Sequence, residues 1–343
     1  MTVDDNPVVS IIVPARNEEA CLGTCLESLV AQTGITFEII AVDDDSSDRT
    51  AEIARSFPGV DVIQAGPLPD GWTGKNNAMS AGAKVARGKW LLFTDADTIH
   101  KSGSLARAVA EAEQQEAALL SYSPEQEVHG FWEKAVMPVI FAELAATYPP
   151  DAVNDATSPI AAANGQYLMI SREAYDAVGG HAAVGGDLLE DVAMARLVKR
   201  SGRKLFFRYG GDAVRTRMYR SFAQLREGWT KNLALLFPSP RGLALLRSAE
   251  FVLILGNLAA AIWARLSGRP NLALQTSLLT LILAGWFWLR IRKAHFSAFF
   301  NLGALVGLPV FSYLLLRSVI LRKHSGVTWK GRSYQSCHTN LAV

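Results

Sequence analysis

The chain has 343 residues, half of them hydrophobic and 19% charged, with a formal net charge of only +2. That composition excludes a disordered chain, and three cysteines without zinc-knuckle spacing exclude a disulfide scaffold. The near-neutral total hides a division: residues 1–240 carry 22 Lys and Arg against 31 Asp and Glu, net −9, while residues 241–343 carry 12 against the single acid Glu250, net +11.

Val8–Pro14 is a continuous apolar run of strand length. Glu18–Gln32 spaces Cys21, Leu22, Cys25, Leu26 and Leu29 along one helical face. Cys21 and Cys25 therefore read as small buried side chains in a reducing compartment. Phe37–Val42 predicts a second strand, ending in Asp43. Arg49–Phe57 predicts a helix capped by Ser47 or Asp48. Asp61–Gln64 is a short third strand, Asn76–Ala86 a helix closed by Gly88, and Trp90–Phe93 a fourth strand leading to Asp95. Such alternation predicts an α/β fold, a parallel sheet wrapped by helices. Ligands of these sheets sit beyond the carboxyl ends of the strands. Three polar clusters fall there: Arg16-Asn17-Glu18, Asp43-Asp44-Asp45 and Asp95-Ala96-Asp97.

Each cluster suggests a chemistry. Asp95 and Asp97, one residue apart where a buried strand opens into a loop, can share Mg²⁺ or Mn²⁺ completed by substrate phosphates. Asp43 and Asp44 can accept hydrogen bonds from a ribose hydroxyl or a base imide. Ser46, Ser47 and Asp48 suit turn formation and capping. Gly71-Trp72-Thr73-Gly74-Lys75 is a glycine-bearing loop before a helix, and Lys75 can neutralise a diphosphate. It lacks the glycine spacing of a P-loop. Glu190 and Asp191 open a helical run that ends in Lys199, Arg200 and Gly202. The helix dipole favours acids at that end and is expected to keep Asp191 ionised. A carboxylate there can serve as a general base or as a simple helix-end acid.

The C-terminal part reads as membrane-embedded. Its apolar stretches are Ala249–Ala264, which extends back through Gly242–Leu246 if it crosses Arg247 and Glu250, then Asn271–Leu289 and Phe296–Leu316. About 20 apolar residues span a bilayer core. Trp286, Trp288 and Tyr313 stand near segment ends, as interfacial aromatics do. Arg290, Arg292 and Lys293 follow the second stretch, and Arg317, Arg322, Lys323, Lys330 and Arg332 follow the third. Both clusters favour the cytoplasmic side although one span separates them, so orientation stays open. The first apolar run is too short to span, which places the acidic part in the cytoplasm. Phe131, Trp132, Phe141 and Tyr148 flank an apolar run around Pro138, read as core packing or as an interfacial helix.

The series VPARNEE (Val13–Glu19), VDDDSSDRT (Val42–Thr50), GKNNAMSAGAKVARGKWLLFTDADT (Gly74–Thr98), ANGQYLMISREAYDAVGGH (Ala163–His181) and LEDVAMARLVKRSGRK (Leu189–Lys204) resembles family 2 glycosyltransferases of the GT-A fold. PLPDGWTGK (Pro67–Lys75) and VTWKGRSY (Val327–Tyr334) resemble a membrane-bound branch with hopanoid-associated and carotenoid glycosyltransferases. Ceramide glucosyltransferase is a more distant likeness.

The resemblance implies a GT-A domain, Rossmann-like with a mostly parallel sheet, over residues 1–240. About three transmembrane helices over 241–320 and a basic tail over 321–343 would follow. It implies that Pro14, Arg16, Glu18, Asp43 and Asp44 line the nucleotide pocket. Asp95 would touch the nucleotide sugar, Asp97 would hold the metal with it, and Asp191 would be the catalytic base. The processive Gln-x-x-Arg-Trp motif is altered to Gln224-Leu225-Arg226-Glu227-Gly228-Trp229, with Arg226 and Trp229 left as candidates for diphosphate or acceptor contact. The implied activity is inverting sugar transfer from a nucleotide-diphosphate donor to a membrane-lipid hydroxyl, by a multi-pass inner-membrane enzyme with its catalytic domain in the cytoplasm. The rival readings are a polyprenyl-phosphate glycosyltransferase and a non-catalytic membrane protein that keeps the fold as a binding module. No nucleic-acid partner is expected.

Overall fold

A computed structural model describes residues 6–324, 327–329 and 332–334. Cys337, Lys330 and much of the expected basic tail lie outside the described residues. The chain forms two compact units, one of residues 1–127, 148–218 and 328–343, the other of residues 128–147 and 219–327.

The first unit begins with β1 (Val9–Ala15), α1 (Leu22–Val30), β2 (Phe37–Asp43), α2 (Thr50–Arg55), β3 (Val60–Gln64), α3 (Gly74–Val85) and β4 (Trp90–Phe93). It continues through β5 (Thr98–His100), α4 (Ser104–Gln114), β6 (Leu119–Ser123) and β7 (Glu125–Gln126). Helix α5 (Phe131–Thr147) belongs to the second unit. The first resumes with α6 (Pro150–Asn154), β8 (Leu168–Ser171), α7 (Arg172–Ala177), α8 (Glu190–Arg200), β9 (Leu205–Tyr209) and β10 (Val214–Thr216). Seven strands form one sheet in the order β3-β2-β1-β4-β8-β6-β9. All neighbours run parallel except β8, which is antiparallel to both β4 and β6.

Both faces of this sheet are covered, which is why β1 and β2 read as unbroken apolar runs. The strand period of two still sorts the side chains. Ile12, Ile40, Leu91 and Phe93 point into one core with Ala78, Met79 and Ala83 of α3 and Met194, Ala195 and Val198 of α8. Ile11, Ile39 and Leu92 point into the other with Leu22, Cys25, Leu26 and Leu29 of α1 and Leu105, Ala108 and Val109 of α4. Gly82 lets α3 lie close on the sheet, because a Cβ there would stand 2.5 Å from an Ile12 methyl. A second sheet of three strands, β5-β10-β7, carries the chain onward after β4.

The expected strands and helices appear with modest changes at their ends. Helix α1 starts at Leu22, later than its apolar spacing suggested, because Glu18 and Glu19 are occupied at the β1 exit. Helix α3 starts earlier, at Gly74, where the Thr73 hydroxyl accepts from the Asn76 N–H. Asp48 accepts from the N–H of Thr50, the first residue of α2, although Arg49 stands between them.

The second unit holds α5, α9 (Phe222–Leu236), α10 (Pro240–Leu266), α11 (Pro270–Ile291) and α12 (Ala298–His324). Proline stands in the first turn of α10 and α11, where its missing N–H costs nothing. Between them Gly268 adopts φ +69°, a left-handed conformation that suits glycine at a helix end. Three stretches are long and apolar enough to cross a membrane: Pro240–Leu266, Pro270–Ala294 and Gly303–Arg322, with mean hydropathy 1.6, 1.6 and 2.0. Helix α10 thus runs through Arg247 and Glu250. Leu253, Ile262, Leu266, Leu281, Ile282 and Trp286 are more than half exposed. So wide an apolar surface calls for a non-aqueous surrounding.

The charges near the ends of these helices are neutralised inside the unit. Glu143 of α5 and Glu250 of α10 face Arg247 of α10 and Arg290 of α11, with N–O distances of 2.7–3.2 Å. The four side chains are 4–17% exposed. Strands β11 (Val327–Trp329) and β12 (Arg332–Tyr334) pair with each other near the C-terminus.

Candidate active site

The carboxyl ends of β1, β2 and β4 are neighbours in the sheet, so the three polar clusters meet at one edge of the first unit. After β1, Arg16 donates to the Asp44 carbonyl and, at 3.0 Å, to the Asp45 carbonyl. The Glu18 N–H donates to the Thr50 hydroxyl at 2.7 Å. Asn17 and Asp45 both take positive φ, 53° and 60°, which short polar side chains tolerate in tight turns. Asp43 is buried and accepts from the Ser46 N–H at 3.2 Å and the Gln64 amide at 2.9 Å. Asp44 is buried beside it, and Pro14 pairs with Val42 in the sheet.

Lys75, in the first turn of α3, lies between two carboxylates. Its Nζ is 2.8 Å from Asp95 Oδ1 and 2.8 Å from Glu190 Oε1. Burial works against the ammonium, yet the two acids outweigh it and hold Lys75 well above the usual lysine range. Asp191, next to Glu190, is held by backbone N–H groups. Its Oδ2 accepts from the Gly165 N–H at 2.9 Å and its Oδ1 from the Val192 N–H at 2.8 Å. Burial and then the Glu190 charge push Asp191 up to about 6, against the opposing pull of Lys75 and the two N–H groups. Desolvation and a like charge at the same helix end raise this acid, yet at about 6 it stays mostly ionised at neutral pH, as its helix-end position leads one to expect.

The backbone around this group is tightly joined. Asn76 is fully buried and its amide donates to the carbonyls of Val184, Gly185 and Asp187 at 2.8–3.0 Å. The Thr73 N–H donates to the Gly185 carbonyl at 2.8 Å. Asn77 donates to the carbonyls of Ala65, Gly66 and Pro67. These bonds tie the start of α3 to the segment entering α8. His181 lies on that segment, its Nδ1 sharing a 2.9 Å hydrogen bond with the Tyr175 hydroxyl. Burial lowers it to about 4, so it is neutral at pH 7.

Comparison with known proteins agrees with this architecture. The profile of the family described as "Glycosyl transferase family 2" matches residues 10–179. The 4,4'-diaponeurosporenoate glycosyltransferase of Staphylococcus aureus strain USA300 is 28% identical over 96% of this chain and 89% of its own length. The protein of the same name from strain MRSA252 is 27% identical with the same coverage. A mannosyltransferase from Pyrobaculum calidifontis, solved with GDP-Man and Mn²⁺, superposes with a TM-score of 0.54 at 17% identity, covering 92% of this chain and 87% of that one. The chain carries a glycosyltransferase family 2 domain.

Within this glycosyltransferase the structure brings Lys75, Asp95, Glu190 and Asp191 together, with Asp97 two residues beyond Asp95. Arg226 and Trp229 lie on α9, in the second unit. Arg226 is exposed. Trp229 is buried, its ring near Phe141 and Tyr219 and its N–H donating to the Met137 sulfur at 3.3 Å. Phe141 of α5 also meets Phe296, while Phe131 and Trp132 at the start of α5 are exposed. Tyr148 belongs to the first unit.

A divalent cation fits the oxygen donors of Asp95 and Asp97. Among the described residues no group of three or more His, Cys, Asp or Glu side chains could hold a metal by itself. The donor set therefore suits an ion that completes its shell with substrate phosphates and water. Sequence reasoning gave no role to Gly165, Asn76 or Asn77, and gave Glu190 no role beyond the base or helix-end acid it shared with Asp191. Two consecutive buried amides after Gly-Lys were the available signal for the asparagines. Nothing local marked Gly165, whose partner is 26 residues away.

Proposed function

We propose that the enzyme moves a sugar from a nucleotide-diphosphate donor to a hydroxyl of a membrane lipid, with inversion at the anomeric carbon. The observation that carries this reading is the Asp191 carboxylate beside a lysine that faces Asp95 at the carboxyl end of the sheet. Pro14, Arg16, Glu18, Asp43 and Asp44 receive the nucleoside, where buried carboxylates and turn backbone give hydrogen-bonding specificity. Asp95 faces the donor sugar, and Asp95 and Asp97 would hold Mg²⁺ or Mn²⁺. When bound, the cation supplies Lewis-acid stabilisation of the leaving diphosphate. Lys75 contributes a fixed positive charge to the same end of the donor.

Asp191 accepts the proton of the acceptor hydroxyl as its oxygen bonds to the anomeric carbon. The bond to the diphosphate breaks on the opposite face and the nucleoside diphosphate departs. A single displacement gives a single inversion. His181 is buried with its Nδ1 engaged by the Tyr175 hydroxyl, which leaves this step to Asp191.

An apolar, membrane-borne acceptor is supported by the relatives named for 4,4'-diaponeurosporenoate and by the three apolar helices; that name denotes a carboxylate, so the choice of a hydroxyl rests on the Asp191 base alone. The same helices support a membrane-embedded protein, here taken as a multi-pass inner-membrane enzyme with its first unit in the cytoplasm. The test is to incubate the detergent-purified chain with a panel of UDP- and GDP-sugars and lipids bearing a hydroxyl, a carboxylate or a phosphate. Products are weighed by mass spectrometry and the anomeric configuration read by NMR. An inverted glycoside of the hydroxyl lipid is expected. Transfer only to the carboxylate or phosphate lipid, or a retained configuration, overturns the assignment.

A further inference from the structure

We propose that Glu190 is a positioning residue, which holds the Lys75 ammonium at the reacting edge beside Asp191 while Asp95 turns to the donor. The proposal rests on the reading above, in which Asp191 is the base and Asp95 faces the nucleotide sugar. It assigns a role to an acid that the helix-end position alone would explain away.

The geometry separates the two carboxylates on Lys75. Both are 2.8 Å from Nζ, but the Asp95 side chain is 29% exposed and that of Glu190 only 9%. Asp95 is open to the cleft and is the acid a cation would claim. Glu190 is withdrawn into the protein and stays with the lysine. Without it, an ammonium losing Asp95 to a cation would be free to follow the diphosphate or the solvent.

Three features fix the pair. Lys75 and Glu190 both sit in the first turn of their helices, α3 and α8, where neither backbone can drift. The Asn76 amide and the Thr73 N–H bind the segment that leads into α8, so the two helix ends move as one body. Gly165 closes the remaining side: a Cβ there would lie 3.1 Å from Lys75 Nζ, 3.3 Å from Glu190 Oε1 and 3.6 Å from Asp191 Oδ2. A glycine leaves that space open while its N–H reaches Asp191, and any Cβ would crowd the pair. Adjacent residues on one turn thus have different partners, Glu190 the lysine and Asp191 the Gly165 N–H.

A double-mutant cycle tests this. With the full chain in detergent, Glu190→Gln is expected to lower kcat by about tenfold or more while donor KM moves by less than about threefold, the split expected when an interaction matters in the transition state. Lys75→Met is expected to lower kcat further. In the Lys75→Met background, adding Glu190→Gln should then change kcat by less than about twofold, because Glu190 acts through the lysine. Gly165→Ala keeps every charge and crowds the pair, so it supplies the same kinetic signature if Glu190→Gln folds poorly. Multiplicative losses across the cycle, or an unchanged kcat in both Glu190→Gln and Gly165→Ala, overturn the proposal. Asp191→Asn serves as the separate control. If it retains full turnover, the assignment of the base fails. If it is inactive while the cycle shows no coupling, only the role of Glu190 fails.

Discussion

At the scale of single residues, the most informative group is Asp191. Asp191→Asn is nearly isosteric and can still accept from the Gly165 and Val192 N–H groups. We expect turnover to fall by at least ~10²-fold, the lower end of what a positioned base contributes, with nucleotide affinity little changed. Steady-state kinetics and nucleotide titration check both halves. The pH dependence follows from the same residue. Its carboxyl is pushed up to about 6, so below that pH the protonated form predominates and cannot take the acceptor proton. The kcat/KM profile should rise through about pH 6 to a plateau near neutrality. Glu190→Gln removes the like charge that helps raise Asp191, so its acidic limb should move to lower pH. The other groups facing this acid, the Lys75 ammonium and the neutral Tyr148, are unchanged in that variant. A limb that moves to higher pH would show that Glu190 does not act on Asp191 electrostatically.

At the scale of elements, the start of α3 and the start of α8 behave as one piece, and the long helices of the second unit are joined by charge. Glu143 is 4% exposed and faces Arg247 and Arg290 together. Removing one partner from a buried ionic group typically costs ~3–5 kcal/mol, because the opposite charge is left uncompensated. Glu143→Gln should therefore unfold more readily in thermal denaturation of the detergent-solubilised chain. Added salt should leave the difference in place, since screening is weak for buried groups. Equal unfolding temperatures for the two proteins would remove the cluster as a tie among α5, α10 and α11. This pairing also changes how the helix charges are counted. Arg290, which by sequence belonged to a basic flank with Arg292 and Lys293, is neutralised by Glu143 and Glu250.

For the whole molecule, two results follow from composition and architecture together. Helices with most of their apolar surface exposed and a net charge of +11 beyond residue 240 should carry the chain into the membrane fraction, released by detergent and not by salt alone. Recovery of most of the protein in the soluble fraction after lysis would count against the spans. A protein-only metal cage is absent among the described residues, so the ion of the reaction should be weakly held before the donor arrives. Dialysis against chelator should abolish transfer, and Mn²⁺ or Mg²⁺ should restore it. Full activity in excess chelator would remove the cation from the mechanism.

The sequence by itself determined the parts of this protein that depend on local order. Strand–helix alternation, the acids at strand ends and the long apolar helices are written in runs of neighbouring residues. Hydrophobic period and turn chemistry act over short windows, so β1, β2 and β4 were legible almost to the residue. The motifs from Val13 to Lys204 likewise marked the family and most of the residues that meet at the sheet edge. Only the tertiary structure decided which of them touch. Lys75 meets Glu190 across 115 positions of sequence, and Gly165 meets Asp191 because β8 turns antiparallel between β4 and β6. No local pattern encodes that approach. The upward shift of Asp191 has the same origin: burial and a neighbouring charge are properties of the folded environment, and the sequence alone makes only the helix-end dipole visible.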